Sequence, residues 1–325
     1  MYKADEKRYD NMQYRRCGES GVLLPILSLG IWQNFGSNRP YENSKKMLET
    51  AFDLGITHFD MANNYGPYAG AAEETFGRAM NDGLGYYRDE MFISSKAGMD
   101  MWKGPYGNWG SKKHIIASCD QSLKRTGLEY FDVFYSHRKD GDTPLEETMG
   151  ALAQLVHQGK ALYIGISNYD ADDSREAFSM LKQMGVHCLI HQPNYSMLNR
   201  WIEDGLTNVL KEYGVGSIPY CPLAQGLLTS KYLKEIPKDS RAMENGGLVD
   251  EANRLRPKLM ALNEIAQQRG QTLAQMALAW VLRLETTTTA LIGASSPEQI
   301  VENVKIIENL EFSSDELQKI DDILK

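Results

Sequence analysis

The amino-acid sequence predicts an α/β chain closed into one (β/α)8 TIM barrel, with an N-terminal β-hairpin closing the bottom and residues 1–325 forming a single domain. Three observations lead there. Eight short β-rich runs alternate with amphipathic segments from about residue 25 onward, which is the mark of parallel βα units. Most of these runs are nearly continuous apolar stretches, as strands covered on both faces are. A length of 325 residues with 42% hydrophobic and 24% charged side chains is ordinary for such a barrel and leaves apolar surface enough for its core.

The elements follow in chain order. MQYRRCGESGVLLP reads as two short extended runs around a Gly and Ser turn, a hairpin placed to plug the barrel. The strand candidates are PILSLGIW from Pro25, THFDMA from Thr57, MFISSK from Met91, FDVFYSH from Phe131, ALYIGIS from Ala161, CLIHQ from Cys188, SIPYC from Ser217 and ALIG from Ala290. Helical patterns lie between them, among them SKKMLETAFDLG, HIIASCDQSLKRTG, EETMGALAQLVHQG and TLAQMALAWVLR, with Gly55, Gly127 and Gly159 as C-caps. The stretch from Leu227 to Arg256 shows no clear pattern and is expected to be a lid.

Composition excludes several functions. A net charge of -8 argues against general binding to phosphate backbones. Cys17, Cys119, Cys188 and Cys221 form no C-x-x-C pair, so neither a zinc site nor a disulfide framework is expected, and no metal is assigned. The charged start MYKADEKRYDNMQYRRCGES has no apolar core, and no later run is apolar enough to span a bilayer, so a cytoplasmic protein without membrane or nucleic-acid partners is expected.

The active site of such a barrel is built at the C-terminal ends of its strands, and these ends are polar here. The second strand ends at Asp60, with Tyr65 five residues later; the third ends at Lys96 and the fourth at His137. The fifth ends at Ser167 and Asn168, the sixth at Gln192 and the seventh at Tyr220. Singly, each has an ordinary reading: a turn acceptor, a loop aromatic, a snorkelling lysine, a core histidine. Together they supply what carbonyl reduction needs. A phenol with an ordinary pKa of about 10 becomes a useful acid only if something stabilises its phenolate. An ammonium does so, a carboxylate holds the ammonium, and an imidazole orients the carbonyl oxygen.

The segments FDMANNYG, SSKAG, FYSHR, GISNY and HQPNY resemble the signature segments of the aldo-keto reductase superfamily across essentially the whole chain. That resemblance implies Tyr65 as proton donor with Lys96, Asp60 and His137 as its partners. No Gly-x-Gly-x-x-Gly follows the first strand, so the resemblance must supply the cofactor site as well. It implies NADPH/NADP, with Ser167, Asn168 and Gln192 on the carboxamide and Tyr220 stacked on the nicotinamide. PLAQGLLTSKY resembles the family's pyrophosphate loop and brings in Pro222, Leu223, Gly226 and Lys231, with Arg241 beyond it. The last βα turn, GASSPEQIVEN, opens a helix near Pro297, and Gly293, Ser295, Gln299 and Asn303 are the adenosine-side candidates. Many relatives place a Lys and an Arg where this chain has Gly293 and Gln299, which leaves NADPH preferred over NADH on the strength of Lys231 and Arg241.

KAGMDMWKGPYGNWGSKKH, HQPNYSMLNRW and YCPLAQGLLTSKYL look like the bacterial L-glyceraldehyde 3-phosphate reductases, and the loop after the seventh strand is also similar to the potassium-channel beta subunits. The resemblance implies reduction of L-glyceraldehyde 3-phosphate and related short carbonyls such as methylglyoxal. A broad aldehyde-detoxifying reductase and a redox-sensing regulatory subunit are the alternatives. Trp32, Tyr68, Trp102 and Trp109 are placed to wall a compact pocket, Trp32 standing with both cofactor and substrate sets, or else to pack the rim. Lys103, Arg138 and Arg200 are candidates for a substrate phosphate. Partners expected are a small-molecule aldehyde and, since relatives of this type often assemble, further copies of the chain.

Overall fold

A computed structural model describes residues 2–234, 236 and 246–325. Two strands, β1 (Tyr14–Arg16) and β2 (Leu23–Pro25), pair antiparallel as the expected hairpin. Eight parallel strands follow: β3 (Leu27–Gly30), β4 (His58–Asp60), β5 (Phe92–Ala97), β6 (Phe131–Ser136), β7 (Ala161–Ser167), β8 (Cys188–Gln192), β9 (Gly216–Ser217) and β10 (Ala290–Ile292). Consecutive strands pair from β3 to β9, and β10 pairs with β3. The circle closes through Ser217, whose N–H donates to Thr286 O at 2.8 Å and whose carbonyl accepts from Thr288 N at 2.9 Å. With no free edge, every strand has two neighbours.

Helices α1 (Tyr41–Asp53), α2 (Ala71–Asn81), α3 (Lys112–Thr126), α4 (Leu145–His157), α5 (Ala171–Gln183) and α6 (Leu206–Tyr213) return the chain between strands. The remaining helices are α7 (Gly246–Gln268), α8 (Leu273–Val281), α9 (Pro297–Val304) and α10 (Ser314–Leu324). Their starts are written in the sequence. Ser111 and Asp170 cap α3 and α5, and Thr272 with Gln275 and Ser313 with Glu316 form capping boxes at α8 and α10. Gly55, Gly127 and Gly159 all adopt the left-handed backbone that ends a helix.

The main core lies between the strand ring and the helices, and a second, smaller cluster fills the ring itself. Cys17 and Leu24 of the hairpin belong to that inner cluster with Val133, Tyr135, Leu189, Ile190, Ile218 and Leu291, so the hairpin seals the bottom. Gly216 allows this approach, because a Cβ there would meet Cys17 Sγ at 2.6 Å. Arg15 ties the hairpin down by donating to the carbonyls of Leu282 and Thr287.

Two expectations change. The seventh strand is regular for only two residues, because Pro219 has no N–H to donate, and pairing resumes beyond it as a single bridge between Tyr220 and Asn194. The expected lid is packed structure at both its described ends: Leu227 and Leu228 are buried, Ser230–Tyr232 form a 3-10 turn and α7 runs from Gly246, while residues 235 and 237–245 lie outside the described residues. Leu248, Ala252, Leu255, Leu259 and Leu262 are buried at helical spacing along α7, a period obscured in the sequence by the ENGG run that overlaps its start. Arg241 lies outside the described residues.

Inside the ring, Gly165 gives room to the Tyr135 side chain: an added Cβ would stand 2.4 Å from two of its ring carbons. Gly165→Ala is therefore expected to destabilise the protein by about 1–3 kcal/mol through overpacking. Urea unfolding checks it, and an unchanged midpoint would mean that the ring yields without cost.

Candidate active site

Period-two alternation along a strand decides which side chains enter the ring. In β4 it sends His58 and Asp60 inward, and in the neighbouring β5 it sends Ser94 and Lys96 to the same side, with Asp60 in register with Ser94. Lys96 Nζ donates to Asp60 Oδ2 at 2.5 Å and to the Met61 carbonyl at 2.6 Å, and both charged side chains are fully buried. Asp60 Oδ1 accepts from Ser94 Oγ at 2.7 Å and from Gln192 Nε2 at 3.2 Å. Two of the three ammonium protons are thus spent, and the third has no partner among the described residues. Burial pulls the lysine down from its usual range, while the charges of Asp60 and Glu73 oppose that pull.

The turn after β4 brings Tyr65 back over this pair. Its ring centroid lies 5.1 Å from Lys96 Nζ and 5.7 Å from the His137 ring, which it meets edge-on at 76°. Asp60, Tyr65, Lys96 and His137 therefore converge on one spot. The charge balance differs from the one expected for an acidified phenol: burial, then Asp60, raises Tyr65 well above 10. The group is loaded with its proton at neutral pH. His137, whose backbone N–H donates to Ala97 O, is held well below the usual histidine range by burial, then by Lys96 and Arg138. Its imidazole is neutral, and its Nδ1 is buried without a partner.

Around this centre the backbone is strained. Among the described residues the non-glycine positions with left-handed φ are Trp109, Asn168, Cys221, Ala224 and Gln225, and every one lies in a loop that follows a barrel strand. Such clustering marks loops held in place by the surrounding structure for a purpose beyond stability. The Tyr220 hydroxyl donates to Asn168 Oδ1 at 2.8 Å, Asn168 Nδ2 to Ser167 Oγ at 3.1 Å, and Ser167 Oγ to Gln192 O at 2.7 Å. The four residues assigned to a nicotinamide site are thus one connected group, with Gln192 turned inward onto Asp60. Pro222, Leu223 and Gly226 lie in the strained turn after β9, and Lys231 is exposed just beyond it. At the last turn Asn34 Nδ2 donates to Ala294 O, and Ser295 N donates to Gln299 Oε1 at 2.9 Å. A Cβ at Gly293 would meet nothing within 4 Å, whereas Asn303 is buried on α9.

The substrate candidates separate. Trp32 is 40% exposed with its ring 6.0 Å from Tyr65, at the entrance to the centre. Arg138 joins two loops: Nε donates to Gly98 O, Nη2 to Asn108 Oδ1, and the guanidinium stacks 3.7 Å from the Trp109 ring. Trp102 packs on His114, and the exposed Tyr68 donates to Glu74. Lys103 is exposed. Arg200 departs from expectation, because its guanidinium is taken up by Glu203 and by Asp321 of α10. Sequence reasoning missed Ser94 and His58 beneath the centre, and Cys221, whose thiol contributes to the charge environment of Tyr65. The alternation in THFD and ISSK was the available signal for the first two.

Comparison with known proteins shows the family. The Aldo/keto reductase family model matches residues 26–325. The chain is 53% identical to proteins named L-glyceraldehyde 3-phosphate reductase from Escherichia coli O157:H7 and strain K12, over 99% of this chain and 95% of theirs. It is 37% identical to a probable voltage-gated potassium channel subunit beta from Oryza sativa subsp. japonica, over 91% of this chain and 92% of that one.

Buried neutral histidines make stability depend on acidity. Burial pushes His58 and His191 down to about 4, so as pH falls through 6.5 the unfolded chain takes up protons that the fold refuses. Stability is full above about pH 6.5 and declines toward 4, by about 3 kcal/mol for each of these two residues at the acid limit. Urea midpoints should fall steadily from pH 7 to 5, and a flat profile would contradict the neutral assignment.

Proposed function

Because the chain belongs to the aldo/keto reductase family, we propose that it reduces short aldehydes with NADPH, foremost L-glyceraldehyde 3-phosphate and related carbonyls such as methylglyoxal, with Tyr65 as proton donor. The observation that carries this reading is the buried Lys96–Asp60 pair converging with Tyr65 and a neutral His137 at the strand ends.

In this reading the carbonyl oxygen lies between the Tyr65 hydroxyl and the His137 ring. A neutral imidazole orients that oxygen by hydrogen bonding and adds no second cation beside Lys96. Tyr65 keeps its proton until negative charge develops on the oxygen, and then releases it. The phenolate left behind faces the Lys96 ammonium, which Asp60 keeps charged and fixed. The donors and acceptors at the rim fit a dinucleotide: the linked Ser167, Asn168, Gln192 and Tyr220, the strained turn from Cys221 to Gly226, and the start of α9, whose N-cap Ser296 makes no side-chain cap. When bound, the nicotinamide supplies a hydride to the carbonyl carbon.

Arg138 is the residue assigned to a substrate phosphate. Its cation is close enough to His137 to depress that imidazole, and Nη1 has no partner among the described residues. The reductase relatives are more similar to this chain than the channel-subunit relatives, which favours a metabolic enzyme over a sensor.

Tyr65→Phe should lose reduction by about 10²- to 10⁴-fold while still quenching protein fluorescence on NADPH addition. Loss of less than tenfold would remove Tyr65 from the proton step. Arg138→Ala should lower kcat/KM for glyceraldehyde 3-phosphate by about 10- to 100-fold, the scale of hydrogen bonds to charged groups, with glyceraldehyde little changed. Equal losses for both substrates would make Arg138 only a brace between its two loops.

A further inference from the structure

Beneath the Lys96–Asp60 pair a continuous line of polar side chains crosses the ring toward β10. Ser94 Oγ lies 2.7 Å from Asp60 Oδ1, His58 Nε2 3.1 Å from Ser94 Oγ, Ser28 Oγ 2.9 Å from His58 Nδ1, and Thr289 Oγ1 2.7 Å from Ser28 Oγ. Ser28, His58, Asp60, Ser94, Lys96 and Thr289 are all fully buried.

The direction of every proton follows from one end. An ionised carboxylate only accepts, so the Ser94 hydroxyl must donate to it. Having one proton, Ser94 must in turn accept from His58, which therefore carries its hydrogen on Nε2. A neutral imidazole protonated there has a bare Nδ1, which accepts from Ser28, and Ser28 then accepts from Thr289. The line is a row of dipoles all aimed at Asp60. It stops at a fully buried threonine and so conducts no proton to solvent.

We infer that His58, acting through Ser94, is a positioning residue for the reaction: it fixes the Asp60 carboxylate that keeps Lys96 charged beneath Tyr65. This rests on the proposed roles of Tyr65, Lys96 and Asp60. The charged and titratable groups around the pair are His58, Tyr65, Tyr135, His137 and Glu73, with Gln192 completing the Asp60 contacts. Asp60 raises both Lys96 and Tyr65. Loosening its hold moves both groups the same way, toward earlier proton loss as pH rises.

Two measurements test the inference. In the parent protein with 15N-labelled histidine, the His58 resonances, identified by their perturbation in Ser94→Ala, should report a neutral Nε2–H tautomer at pH 7. An Nδ1–H tautomer or an imidazolium would overturn the chain, whatever reaction the site performs. In kinetics, Ser94→Ala should reduce kcat about tenfold, the scale of one hydrogen bond to a charged group, with aldehyde KM unchanged. The alkaline limb of its kcat profile should move down by about one pH unit. Thr289→Val, equal in shape but lacking the hydroxyl, should shift the limb the same way by less. Limbs superimposed on the parent in both variants would reduce the line to packing. Should Tyr65→Phe retain activity while His58 shows the Nε2–H form, the reaction assignment falls and the hydrogen-bond line stands.

Discussion

Two opposite charges fully buried in a ring of strands are what the rest of this molecule is arranged around. Removing an ammonium and a carboxylate from water costs several kcal/mol each, and their attraction repays it only when geometry and further hydrogen bonds are nearly complete. Lys96 and Asp60 meet that condition through backbone and side chains alike: Met61 O takes an ammonium proton, while Ser94 and Gln192 donate to the carboxylate. Each of these partners is on a different element, so the pair is also a point at which β4, β5 and β8 are registered against one another. A site built this way cannot relax sideways without exposing a charge.

The pair also sets the protonation of its neighbours. Tyr65 is kept neutral and loaded, and His137 is kept neutral and empty, by the same combination of burial and nearby charge acting on groups of opposite type. Rigid strands hold the charges; strained loops hold the polar rim. The left-handed residues at Asn168, Cys221, Ala224 and Gln225 surround the centre in positions where a relaxed backbone would serve folding better. That division separates what the ring buries from what the loops present at its rim.

Much of this was legible in the sequence because the rules involved are local. Apolar runs of strand length, glycines after helical patterns and polar residues at strand ends each have a direct geometric meaning, and the eight strands fall where those runs are. The less legible parts depend on distant partners. Nothing near Arg200 in sequence reveals Asp321, which captures it from the C-terminal helix. The helical face of α7 is hidden by the two glycines at its start, which read as a turn. His58 is illegible for the same reason, because a histidine next to Phe59 reads as core until Ser28 and Ser94, from the two neighbouring strands, are seen to flank it. The upward shift of Tyr65 was illegible for a similar reason, since burial depth belongs to the closed ring and to no single segment.

The hairpin floor has a consequence for traffic. With Cys17 and Leu24 wedged into the base and Arg15 fastening them, that end of the barrel is shut among the described residues and traffic is left to the strand-end face. Whatever reaches the centre must depart the way it came, so a small occupant lying deeper than a large one is trapped until the large one shifts. Order of arrival and departure is thereby imposed by architecture, before any affinity is considered.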